Sequence, residues 1–168
     1  GDLTLHDVLA DADNRPSITK LLKIFLQVCE GVAYLHDNDF IHRGLKPQNV
    51  LINSNGVVKV ADFGLSGIIS GDSFSDPSNK FSYMSPEQLQ ARRILIGREA
   101  PSLGALLSPQ TDVYSLGLLL YEMLSGVSLF PQNDLEDSHQ VRKKNSIYTL
   151  DPSLEIPEEL GNILRKAL

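Results

Sequence analysis

The chain has 168 residues, 42% hydrophobic and 21% charged, with a formal net charge of −6. That is enough chain for one globular domain with a real core. The acidic balance argues against a nucleic-acid binder, which carries a basic face, and the single cysteine, Cys29, excludes an internal disulfide.

In chain order, Leu3, Leu5, Val8 and Leu9 predict a short amphipathic helix, ended by the polar run from Asp11 to Pro16. Ser17 or Thr19 can cap a second helix. Its apolar residues Leu21, Leu22, Phe25, Val28, Val32 and Leu35 recur at three- and four-residue steps, which carries it to about His36. Cys29 lies in this stretch and reads as a buried structural residue. Asp37-Asn38-Asp39 breaks the helix. Val50-Leu51-Ile52 and Val57-Val58-Lys59-Val60 flank Asn53-Ser54-Asn55-Gly56. Two β-branched runs around Asn-Gly predict a hairpin. Residues 66–82 are rich in Ser, Gly, Asp and Asn and read as a loop.

Ser85-Pro86-Glu87 opens a helix through about Arg93, and residues 94–110 read as an irregular insertion with Gly97, Pro101, Gly104 and Pro109. Asp112 to Ser125 is the most apolar helix and is expected at the centre of the core, with Gly126 as its C-cap. Its apolar run is too short and too polar to span a bilayer. Pro157-Glu158-Glu159 starts a last helix. The expected fold is one mostly helical domain with a single small β-hairpin.

The segment His42-Arg43-Gly44-Leu45-Lys46-Pro47-Gln48-Asn49 carries the chemistry. It resembles the catalytic loop of a eukaryotic-type protein kinase, H-R-D-L-x-x-x-N, except that Gly44 stands where the base would be. Three further blocks follow in the order of that family. Asp62-Phe63-Gly64 is similar to its metal-binding D-F-G, and Ser85-Pro86-Glu87 to A-P-E. Asp112-Val113-Tyr114-Ser115-Leu116-Gly117 resembles the start of its central helix. The resemblance covers essentially the whole chain and implies the C-terminal lobe of a kinase domain over residues 1–168. Residues 66–82 would then be an activation-loop-like segment. Lys46-Pro47 is similar to Ser/Thr kinases rather than tyrosine kinases.

The resemblance implies roles residue by residue. Lys46 would place positive charge near the transferring phosphoryl group, where the plainer reading is a solvated lysine. Asn49 and Asp62 would bind magnesium through oxygen, against plainer readings as a loop-capping amide and a turn residue. They flank one hairpin and are expected to converge. Leu51, Leu119 and Met123 match positions beneath the nucleotide base. His42 and Phe63 match a stacked spine linking two lobes, and Asp112 the aspartate that ties the central helix to the loop backbone. Arg43 matches a residue that pairs with an activation-loop phosphate, for which Ser70, Ser73, Ser75 and Ser78 are candidates. Glu87 matches a residue paired with a downstream arginine, which this sequence does not supply.

The departures point the other way. Glycine has no group to accept a substrate proton or to aim a hydroxyl. General-base help is worth about 10²–10⁴ in rate. Asn79 and Lys80 stand where Ser/Thr kinases carry Gly-Thr. No Gly-rich loop, strand lysine or helix glutamate of an N-terminal lobe is in the sequence, so that lobe is expected in a longer product. Three functions follow. The favoured one is a pseudokinase acting as a binding or regulatory module for a protein partner. The alternatives are an active Ser/Thr kinase acting on protein hydroxyls, and a truncated product without function. ATP and Mg2+ are expected only where a complete protein binds nucleotide, and none for this fragment alone. No nucleic acid or membrane partner is expected, and a cytoplasmic location is. The segment from Glu87 to Asp112, with Arg92, Arg93 and Arg98, reads as a surface loop or as a docking element.

Overall fold

The computed structural model describes residues 2–62, 81–96, 107–130 and 156–168. Strand β1 (Leu3–Thr4) leads directly into helix α1 (Leu5–Ala10), then α2 (Ile18–Asp37). A single 3₁₀ turn (Pro47–Asn49) precedes the hairpin strands β2 (Val50–Ile52) and β3 (Val58–Val60). Helices α3 (Pro86–Ile96), α4 (Pro109–Ser125) and α5 (Glu158–Ala167) follow. The mostly helical expectation holds, but the sheet has three strands in the order β1-β2-β3, all antiparallel.

Leu3 and Thr4 are therefore strand, not helix. Thr4 is the N-cap of α1 and so is extended, and its side chain closes a capping box with Asp7. That extended backbone pairs with β2, Thr4 opposite Leu51. Ser17, not Thr19, caps α2, accepting the Lys20 N–H. The hairpin turn forms as Asn-Gly dictates. Gly56 takes φ +77° and donates to the Asn53 carbonyl at 2.9 Å.

Two boundaries move at the insertion. Helix α3 runs on to Ile96, and α4 begins at Pro109, where proline at the first turn costs no hydrogen bond. The predicted irregular stretch 94–110 is thus helical at both ends, and residues 97–106 lie outside the described residues. So do 63–80, which hold Phe63, Gly64, Asn79, Lys80 and the four serines named above.

Helix α2 packs on β3 and α4, and α4 packs on α5. Gly31 lets α2 approach the sheet, since a Cβ there would lie 3.2 Å from Val60. The main core joins Leu21, Ile24, Val28 and Val32 of α2 to Leu5, Leu45, Val50, Leu119 and Met123. Leu45 is the inward anchor of the loop that carries the candidate site. No helix among the described residues is long and apolar enough to cross a membrane.

Candidate functional site

The loop from His42 to Asn49 is held through its backbone. Asp112, fully buried in the first turn of α4, takes the His42 N–H at 2.7 Å on one oxygen and the Arg43 N–H at 2.8 Å on the other. A buried carboxylate needs such donors. His36, in the last turn of α2, adds a third through Nε2 at 2.8 Å. Three separate elements therefore meet on one carboxylate.

The two residues at the missing-base position are fixed on both sides. The Arg43 carbonyl accepts from Gln88 Nε2 at 2.7 Å. The Gly44 N–H donates to His42 Nδ1 at 3.2 Å, and the Gly44 carbonyl accepts from Asn49 Nδ2 at 2.8 Å. Every backbone donor and acceptor of Arg43 and Gly44 thus ends on a named side chain. Arg43 needs that support because its φ is +66°, a region costly for a side chain. Gly44 does not adopt positive φ. A Cβ placed there would meet Asn49 Nδ2, the Asp62 carbonyl and His42 Nδ1, each at an ordinary 3.8 Å. The glycine is therefore not demanded by the backbone.

The hairpin brings Asn49 and Asp62 together. Val50 pairs with Val60, and the Ala61 N–H donates to the Asn49 carbonyl at 2.9 Å. Asp62 follows at once, exposed and with φ +58°. Because Asn49 Nδ2 is spent on Gly44, its oxygen remains as an acceptor. An amide oxygen and an exposed carboxylate are hard donors suited to a magnesium ion that keeps water or phosphate as its other ligands. No group of three or more His, Cys, Asp or Glu side chains that could hold a metal ion occurs among the described residues. Lys46 is half-buried on the same loop, just before Pro47.

His42 is buried, and burial holds its imidazole below the usual range against the opposing pull of Asp112. It is therefore a neutral acceptor for Gly44. Leu51 does not join Leu119 and Met123. Strand alternation puts Val50 on the core face with those two residues and Leu51 on the other face, half-buried. Glu87 is not left without a partner, as it accepts the Thr111 hydroxyl at 2.8 Å. Sequence reasoning missed His36, Gln88 and Thr111. Their bonds to Asp112, Arg43 and Glu87 cross gaps in sequence that leave no local pattern. One buried contact also went unforeseen: the Tyr83 hydroxyl donates to Glu122. Burial pushes the Tyr83 phenol and the Glu122 carboxyl upward.

The sequence profile of the protein kinase domain matches residues 2–168. The serine/threonine-protein kinase PknD of Protochlamydia amoebophila is 31% identical over 166 residues, covering 90% of this chain and 16% of its own length. The dual specificity mitogen-activated protein kinase kinase dSOR1 of Drosophila melanogaster is 41% identical over 110 residues, 65% of this chain and 24% of its own. A TBC domain-containing protein kinase-like protein of Mus musculus is 32% identical over 182 residues, 98% of this chain and 20% of its own. The chain spans about a fifth of the length of the curated relatives it matches.

Proposed function

The chain belongs to the protein kinase family, and from that premise we propose that it serves as a pseudokinase: a kinase-fold module that binds a protein partner and transfers phosphate poorly or not at all. The observation that carries this reading is Gly44. The loop around it is fully tied down, yet it offers no side chain to take a proton from an incoming alcohol or to aim it. The nearest carboxylate along the hairpin, Asp62, belongs to the metal-binding position. Positioning supplies much of phosphoryl-transfer catalysis, so the loss exceeds that of a base alone.

Asn49 and Asp62 would hold Mg2+ through oxygen, and Lys46 would face the nucleotide phosphates. A bound Mg2+ would neutralise phosphate charge. The protein's own part is to orient those two oxygens by the Asn49–Gly44 bond and the β2–β3 register. A second reading, a slow Ser/Thr kinase, draws on the same three residues, because electrostatic stabilisation can outlast loss of the base.

Ligand binding is tested by thermal shift of the full-length gene product with ATP and Mg2+, beside Asp62→Ala. A ligand that binds only the folded state must raise its melting temperature. A rise lost in the variant supports nucleotide binding. No rise argues against nucleotide binding at this site.

A further inference from the structure

We infer that Gln88 is a positioning residue for the loop at Arg43–Gly44, fastening it to the start of α3. Gln88 is 1% exposed, and both ends of its amide are used. Its Oε1 accepts the Ser85 N–H at 2.9 Å, and its Nε2 donates to the Arg43 carbonyl at 2.7 Å. The Gln88 N–H lies 3.3 Å from Ser85 Oγ. Ser85 and Gln88 therefore form a reciprocal capping box.

Capping explains a glutamine or a glutamate at this position equally well, because only the oxygen is needed. The second contact separates the two. With Oε1 turned to the Ser85 N–H, the other arm of the side chain faces a carbonyl oxygen, and only an amide puts a donor there. A carboxylate would place oxygen against oxygen in a buried setting, which is unfavourable. The Arg43 peptide is where this donor is most needed. Arg43 is left-handed, and the glycine after it brings no side-chain packing of its own. Asp112 holds the N–H side of Arg43 and Gln88 the carbonyl side. The capping amide of α3 thereby makes the helix start and the loop one unit.

The contact itself does not depend on the proposed function. Hydrogen exchange of the chain, with backbone amides resolved by NMR, tests it without any activity. In Gln88→Glu the Ser85 amide and the Leu89 amide, which donates to the Ser85 carbonyl at 3.1 Å, should keep their protection. The Arg43 and Gly44 amides should exchange about tenfold faster, and the Asn49 side-chain amide protons should shift. In Gln88→Ala both groups should lose protection. Unchanged Arg43 and Gly44 exchange in a folded Gln88→Glu protein would overturn the inference and leave Gln88 a cap alone. If that variant does not fold, the wild type decides. A scalar coupling across the bond from the Gln88 side-chain nitrogen to the Arg43 carbonyl carbon supports the inference, and its absence defeats it.

Discussion

Asn49 donates its side-chain amide to the Gly44 carbonyl at 2.8 Å, joining the two ends of the loop segment that matters most. The bond fixes the peptide at the vacant position and leaves the Asn49 side-chain oxygen as an acceptor. The loop is thus pre-shaped although the group it would shape is absent.

That shape predicts how position 44 responds to a side chain. Gly44 does not take a positive φ, and it has room for a Cβ at 3.8 Å from its neighbours. Gly44→Ala should therefore stabilise by about 0.4–1 kcal/mol, by restricting the unfolded chain. Urea denaturation reads the change. A loss above about 1 kcal/mol would mean that the loop cannot carry a side chain.

His36 is the exposed leg of the Asp112 cluster, with 19% of its side chain accessible against none for Asp112. Removing it leaves the buried carboxylate with its two backbone donors only. His36→Leu should cost about 1.5–3 kcal/mol, the range for a hydrogen bond to a charged group. His36→Gln, which can still offer a donor, should recover part of that. Equal losses in the two variants would show that packing, not the bond to Asp112, sets the effect.

The Tyr83–Glu122 pair gives stability a pH dependence. Burial holds the Glu122 carboxyl above its ordinary range, so the folded chain keeps this proton where the unfolded chain has released it. Stability from this group therefore falls as pH rises from the ordinary carboxylate range through the raised value. Glu122→Gln removes that slope and keeps an oxygen for the Tyr83 hydroxyl. Its melting temperature should exceed the wild type at about pH 8 and match it at about pH 4. A wild type that is the more stable at the higher pH would contradict this.

Gly126 ends α4 with φ +83°, and a Cβ there would come within 1.9 Å of Arg15 Nη1. Arg15 donates through Nη2 to the Met123 carbonyl at 3.1 Å, so its guanidinium has a reason to stay. Gly126→Ala should cost about 1–2 kcal/mol from the backbone alone, with a further loss as Arg15 is displaced. Thermal denaturation checks the value. A neutral result would show that the helix end relaxes freely.

Local patterns gave the helices and the hairpin. The spacing of Leu21, Val28 and Val32 predicts α2 because a single helix face must meet the core. Asn55-Gly56 predicts the turn because glycine alone takes its positive φ without strain. Strand β1 escaped, since two residues show no period and owe their state to pairing with β2. Asn49 and Asp62 could be foreseen together because one hairpin joins them. The bonds of His36 and Gln88 could not. They reach 76 and 45 positions along the chain, and neither residue type announces a partner. Leu51 lies on the strand face opposite Val50, because a strand sends neighbours to opposite faces.

The most direct test of the central claim is phosphate transfer from ATP to a peptide by the full-length gene product, measured for wild type, Gly44→Asp and Asp62→Ala. The account predicts wild-type transfer no greater than that of Asp62→Ala, with any gain confined to Gly44→Asp. Wild-type transfer at an ordinary kinase rate, abolished by Asp62→Ala, would contradict it.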